Sequence, residues 1–131
     1  MAETELFFET PTKRTVLDNG IRVVTERVPY VRSVAAGVWV QSGSSNETEQ
    51  TNGIAHFLEH MLFKGTRTRS AMDLANSLES LGGHLNGSTG REVSMYSAYI
   101  LNEHIDTALD VLADLTHNPR FKPSDIDVEK Q

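Results

Sequence analysis

The residues with the clearest capacity for chemistry are two histidines and a glutamate, His56, Glu59 and His60. At about 100° of rotation per residue, their side chains fall on one narrow arc of a helix. Two imidazoles one turn apart can bind a single metal ion, and a carboxylate beside them can hold or deprotonate a bound water molecule. The spacing therefore predicts a metal site that could support hydrolysis.

A helix must position these three residues, and the flanking sequence predicts one between Asn52 and Gly65. Asn52 is a suitable N-cap, and Gly65 is a suitable residue on which to end the helix. The side opposite the histidines carries the apolar residues Ile54, Phe57, Leu58 and Met61. We expect this apolar side to face the core and the metal-binding side to face away from it. A helix that carried two histidines and a glutamate by chance would not need to separate them from its apolar residues in this way.

The composition is that of one globular domain, with 131 residues, 38% of them apolar and 23% charged. A net charge of −6 and the lack of a lysine or arginine run argue against a nucleic-acid partner. The same negative charge would attract a basic peptide. The chain has no cysteine, so any metal must take nitrogen and oxygen ligands.

The first ten residues, Met1–Thr10, are acidic and lack both the apolar stretch of a secretory signal and the arginine-rich composition of a transit peptide. No apolar run in the sequence is long enough to span a membrane. We therefore expect a cytoplasmic protein, or one of the mitochondrial matrix if a transit peptide has been removed.

Local patterns predict the first strands. Asp18-Asn19-Gly20 lies between two β-prone segments and predicts a tight hairpin. The stretch 33–41 is apolar on both faces, which predicts a central, covered strand with Trp39 in the core.

Helices and strands are predicted in turn through the second half of the chain. A capping box from Ser70 to Asp73 opens a helix with the apolar stripe Ala71, Leu74, Leu78 and Leu81. Strands follow at 84–88 and 92–101, and then a helix capped by Asn102 that carries Ile105, Leu109, Leu112 and Leu115 on one side. A last helix is predicted to begin with Ser124 as its cap. Because the chain stops about two turns into that helix, we interpret it as part of a longer protein.

A catalytic zinc site usually has three protein ligands, and His56 and His60 supply two. The other candidates are His84, His104, His117 and Glu129. The sequence places His84 at a strand start near the surface and His104 in the first turn of a helix, where we expect it to be solvated. His117 lies near a helix C-terminus, where the helix dipole favours a histidine without a metal. Glu129 is either a ligand, a partner that supports one, or an exposed charge.

The segment Asn52–Thr66 resembles the inverted zinc motif of the pitrilysin-type metallopeptidases, and among these especially the mitochondrial processing peptidase β subunits and their bacterial homologues. Further segments with the same resemblance are 17–23, 42–44 with Glu47, 82–89, and Arg91-Glu92. The resemblance runs from about Thr15 to the end of the chain. It implies an α+β fold, a mainly antiparallel sheet with helices packed on it, as a truncated N-terminal domain at 14–131 that follows a tail at 1–13.

The resemblance also implies roles for individual residues. It makes His56 and His60 zinc ligands and Glu59 the general base on a zinc-bound water. Phe63 would help to shape the pocket for the residue after the scissile bond. An extended peptide would pair with the strand formed by Leu85, Asn86, Gly87, Ser88 and Thr89. Glu129 would support the site, and the third zinc ligand would be a glutamate a few residues past Gln131.

The function implied is that of a zinc metalloendopeptidase acting on extended peptides, alone, as a homodimer or with a homologous subunit. We expect the 131-residue chain by itself to bind zinc weakly and to cleave little or nothing. One alternative is a non-catalytic structural subunit similar to the core proteins of a respiratory complex, and another is a metal-binding domain without hydrolytic activity. The intact set of His56, Glu59 and His60 argues against the structural subunit.

Overall fold

A computed structural model describes residues 12–130, which fall into two compact units divided between Arg32 and Ser33. Within the first unit, strands β1 (Thr12–Val16) and β2 (Arg22–Glu26) pair antiparallel, with Thr12 opposite Glu26. The turn between them closes through the Asn19 side chain, whose Oδ1 accepts a hydrogen bond from the backbone of Ile21 at 3.1 Å. The predicted hairpin is confirmed. Of the predicted tail, residues 1–11 lie outside the described residues.

The second unit is built on a three-stranded antiparallel sheet. Its strands are β3 (Ser33–Val40), β4 (His84–Thr89) and β5 (Ser94–Leu101), in the order β3–β5–β4. β5 lies in the middle and is the most buried of the three strands. The central position that the sequence predicted for β3 is therefore wrong, since within residues 33–130 it pairs with β5 alone.

Trp39 also differs from its prediction, because 64% of it is exposed. Val34, Ala36 and Val38 alternate with it along β3 and are half-buried, as is Gly37 beneath the Trp39 ring. The helices pack on the side of the sheet that carries these alternating residues. The Trp39 ring lies over Gly37 instead, where an added Cβ would be 2.8 Å from Cη2. An apolar residue on each face of a strand does not require that both faces be covered.

Within residues 33–130 four α-helices follow the pattern of the sequence. They are α1 (Ile54–Leu62), α2 (Ala71–Glu79), α3 (Ile105–His117) and α4 (Pro123–Glu129). The core joins the inner face of β5 to α2 and α3 through Leu74, Leu78, Tyr96, Ala98, Ile100, Ala108, Val111, Leu112 and Leu115. Antiparallel strands with helices packed on them confirm the predicted α+β class.

Several helix predictions need correction. Asn102 does not cap α3, which begins at Ile105 with His104 as N-cap, directly after a 3₁₀ turn at Asn102–His104. The N-cap of α4 is Lys122, two residues before the predicted Ser124, and Pro123 lies in the first turn. Proline suits that place because its fixed φ is helical and the N–H it lacks would have no partner there. On α3, Leu109 is 51% exposed, because the buried side of that helix runs through Ala108 and Leu112. The capping box at Ser70, by contrast, forms as predicted.

A buried carboxylate fixes the loop that follows α1. Oδ2 of Asp114, on α3, accepts hydrogen bonds from the hydroxyl groups of Thr66 and Thr68 and from Nη1 of Arg69, at 2.6, 2.9 and 2.6 Å. Asn118 donates to the other oxygen at 3.1 Å. Burial alone would raise the pKa of Asp114, but these hydrogen bonds together outweigh it and hold the pKa at about 2.

This cluster predicts an acid-dependent part of the stability. Because the folded pKa of Asp114 is below its unfolded value of about 3.9, the contribution is complete above that value and is lost as the pH falls through about 2. We expect Asp114→Asn to lower the free energy of unfolding by roughly 1.5–3 kcal/mol near neutral pH, the usual value of hydrogen bonds to a charged group. Urea unfolding measured between pH 6 and pH 2 should show that the difference in free energy of unfolding between wild type and Asp114→Asn becomes smaller as the pH falls. Asp106→Asn, at an exposed position on the same helix and outside this cluster, is the control, and a difference that does not change with pH would contradict the assignment.

Candidate metal centre

The helix that carries the predicted metal ligands starts in an unpredicted way. α1 begins at Ile54, after Gly53 in a left-handed conformation with φ +86°. The carboxylate of Glu47 accepts hydrogen bonds from the backbone N–H groups of Gly53 and Ala55, at 2.7 and 2.9 Å. The bond from Ala55, and then that from Gly53, lowers the pKa of Glu47. Glu47 therefore caps the helix, and the N-cap predicted at Asn52 is wrong.

Sequence reasoning did not find this role, because a cap from eight residues away belongs to no local capping pattern. The other end of α1 is at Leu62, before the predicted Gly65. Gly65, with φ +123°, serves instead to turn the following loop back toward Ser70.

The face of α1 that packs on the sheet is rotated from the predicted one. Ala55, Met61 and Leu62 are buried, whereas Ile54 and Leu58 are 46% and 41% exposed. This rotation brings Glu59 against β4 and leaves it half-buried. The side of the helix that carries the predicted metal ligands therefore borders the sheet and does not face away from it.

His56, Glu59 and His60 form a compact group. Each offers a ligand atom, and these atoms lie within 4.8 Å of one another. The two imidazole rings meet edge to face with centroids 4.4 Å apart. Both histidines are exposed. In a chain without cysteine, two imidazoles and a carboxylate so placed fit the nitrogen and oxygen ligands that zinc accepts.

Glu129 reaches this group from α4. One of its oxygens bonds Nδ1 of His60, and the other lies 3.0 Å from Nζ of Lys64. The bond with His60, and then the bond with Lys64, lowers the pKa of Glu129, so its carboxylate is ionised near neutral pH. Because an ionised carboxylate only accepts hydrogen bonds, Nδ1 of His60 must donate the proton. Nε2 of His60 is then the nitrogen left for a metal, which is the common arrangement of a carboxylate behind a metal-binding histidine.

A cleft of about 540 Å³ opens beside the group. Its lining residues are Glu59, His60, Phe63, Lys64, Ala71, Leu85, Asn86, Gly87 and Glu129. Of the residues predicted to bind substrate, Phe63, Leu85, Asn86 and Gly87 therefore line the cleft. Ser88 and Thr89 do not, and the hydroxyl of Thr89 instead donates a hydrogen bond to Oε2 of Glu59. Lys64 and Ala71 line the cleft without having been predicted to do so.

The remaining histidines lie elsewhere, and within residues 12–130 none of them joins the group on α1. His84 stacks on Tyr99 across the sheet, with ring centroids 4.9 Å apart. His104 has its Nε2 3.6 Å from Glu103, and Nδ1 of His117 lies 3.2 Å from the carbonyl oxygen of Ala113 near the end of α3. Each of these side chains has a local contact that needs no metal.

Residues 22–131 match the model of the insulinase family, peptidase family M16, and the chain belongs to this family. The resemblance to pitrilysin-type metallopeptidases found in the sequence is thereby confirmed. Among curated relatives, the zinc protease YmxG of Bacillus subtilis is 49% identical over 118 residues, which cover 90% of this chain and 29% of that protein. The probable mitochondrial-processing peptidase subunit beta of Arabidopsis thaliana is 45% identical over 119 residues, which cover 91% of this chain and 22% of that protein.

The fold has a counterpart among solved structures. The crystal structure of a protease from Helicobacter pylori superposes with a TM-score of 0.87 at 26% identity, over 93% of this chain and 29% of that one. The chain thus spans only 22–29% of the length of these relatives. Among the described helices none is long and apolar enough to cross a membrane.

Proposed function

We propose that the protein carrying this chain is a zinc metalloendopeptidase that hydrolyses extended peptides, with His56 and His60 as zinc ligands and Glu59 as general base. The observation that carries the proposal is the group on α1, two histidines and a glutamate with ligand atoms within 4.8 Å, in a member of peptidase family M16. A structural subunit would need none of these three side chains.

Each residue of the site has a separate role in the proposed reaction. When bound, zinc polarises the scissile carbonyl and lowers the pKa of a water molecule that it binds. Glu59 takes the proton from the attacking water and then passes it to the leaving amine. Its half-buried position against β4 keeps the carboxylate beside both histidines. Glu129 holds His60 through Nδ1, which fixes the ring orientation and the tautomer.

We place the third zinc ligand outside residues 1–131, on a glutamate that the family resemblance puts a few residues past Gln131. Glu59 is required as the base, and both oxygens of Glu129 already contact His60 and Lys64. On this proposal, the 131-residue chain alone binds zinc weakly and is nearly inactive.

The substrate would bind along β4. Within the described residues this strand pairs only with β5, so its other edge is open to an extended peptide. That strand supplies three of the lining residues of the cleft, Leu85, Asn86 and Gly87. We further propose that the protein works alone, as a homodimer or beside a homologous subunit, in the bacterial cytoplasm or the mitochondrial matrix.

Metal removal tests this function. The full-length protein should cleave an unstructured basic peptide, and treatment with a chelator should abolish cleavage. Stoichiometric zinc should restore the rate, because the histidine nitrogens are part of the protein and remain in place. Magnesium serves as the control, since it prefers oxygen ligands. Cleavage that survives complete zinc removal would contradict the proposal.

A further inference from the structure

Thr89 makes a contact that its predicted place in the peptide-binding strand does not explain. It is the last residue of β4, on the half-buried face of that strand together with Leu85 and Gly87. Its hydroxyl donates a hydrogen bond to Oε2 of Glu59, and it lies 3.5 Å from the carbonyl oxygen of Ala55 on the same helix. The side chain of Thr89 is therefore directed to α1 and not to the open edge of the sheet.

Gly87 provides a second restraint on Glu59 from the same face of β4. A Cβ at position 87 would lie 3.2 Å from Cγ of Glu59 and 2.7 Å from Cε2 of Phe63. The missing side chain thus lets Glu59 and Phe63 pack directly on the strand backbone. The strand limits Glu59 at two points, by packing at Cγ and by a hydrogen bond at the carboxylate.

These restraints matter because a glutamate has three rotatable side-chain bonds, and proton transfer requires the base within hydrogen-bond distance of its target. A displacement of about 1 Å in a catalytic group can cost about a hundredfold in rate. With Oε2 held by Thr89, Oε1 accepts no hydrogen bond within residues 12–130 and is the oxygen left to take a proton.

We propose that Thr89 is a positioning residue whose hydroxyl holds Glu59 in the orientation of a general base. The inference rests on the proposed peptidase function and adds a role to it. It also separates two possible contributions of Thr89, because a side chain that binds the peptide would alter KM, whereas one that positions the base alters kcat.

The test compares Thr89→Val with Thr89→Ser in the zinc-loaded full-length protein. Valine keeps the shape of threonine without the hydroxyl, so kcat should fall about tenfold to a hundredfold while KM and zinc affinity change by less than about twofold. Serine keeps the hydroxyl and should restore kcat to within about threefold of wild type. Thr15→Val, which removes an exposed hydroxyl from β1, should leave all three quantities unchanged.

A structural measurement decides the point independently of activity. In the metal-free protein, side-chain couplings from NMR should show one dominant rotamer of Glu59 in the wild type and in Thr89→Ser, and rotamer averaging in Thr89→Val. Thr89→Ala repeats the experiment without the bulk of valine if the valine variant does not fold.

Three results would overturn the inference: an unchanged kcat in Thr89→Val, a serine variant as slow as the valine variant, or a single Glu59 rotamer in all variants. Failure of the proposed function looks different. If Glu59→Gln cleaves at the wild-type rate, then Glu59 is not the base, and the rotamer measurement still decides whether Thr89 orients it.

Discussion

Replacing Glu59 with glutamine is expected to lower kcat about a thousandfold and to leave zinc bound, because general-base catalysis contributes about 10²–10⁴ in rate. Glutamine has nearly the same shape as glutamate and keeps an oxygen that can accept the hydrogen bond from Thr89. It cannot take a proton from water near neutral pH. The variant therefore removes the proton acceptor and leaves the two histidines in place.

The measurement is steady-state cleavage of a fluorogenic peptide by the full-length protein, together with a zinc titration of the same preparation. Glu79→Gln is a matched control, since Glu79 is an exposed helical glutamate at the end of α2, away from the cleft. It should retain the wild-type kcat. A Glu59→Gln variant that cleaves as fast as this control would place the base elsewhere.

Replacing His56 with alanine is expected to weaken zinc binding at least about a hundredfold, since loss of a residue that only supports a ligand already costs about 10–100-fold. His56 is exposed and its ring contacts His60 edge to face, so the substitution removes a nitrogen from the group without opening the core. Cleavage should be lost together with the metal.

Competition with a zinc-binding dye measures the affinity, and urea unfolding in chelator checks that the metal-free variant is folded. His104→Ala is the control, because His104 lies outside the group on α1. Equal zinc affinity in His56→Ala and wild type, or an equal loss in the control, would show that the metal does not bind at this group. Taken together, Glu59→Gln should lose turnover with zinc retained, whereas His56→Ala should lose both.

Much of the site was already determined by the sequence, because its three main residues lie close together along the chain. His56, Glu59 and His60 share a helix face through their spacing alone, and the turn at Asn19 and the box at Ser70 depend on neighbours two or three residues away. The family was equally evident, since the residues that carry the resemblance form continuous segments.

The tertiary structure alone decided which surfaces meet. Nothing local shows that β3 lies at an edge of the sheet within residues 33–130, that Trp39 is exposed, or that α1 turns Glu59 toward β4. An apolar pattern says that a face could be buried, but the packing of other elements determines whether it is.

The contacts that complete the site are also long-range. Glu129 reaches His60 from 69 residues away, and Thr89 reaches Glu59 from 30 residues away. Glu47 caps α1 from outside any local capping pattern. The sequence thus determined which groups could do the chemistry, because their spacing along one helix places them together. The fold determined what orients them, because those partners meet only when the sheet and α4 pack against that helix.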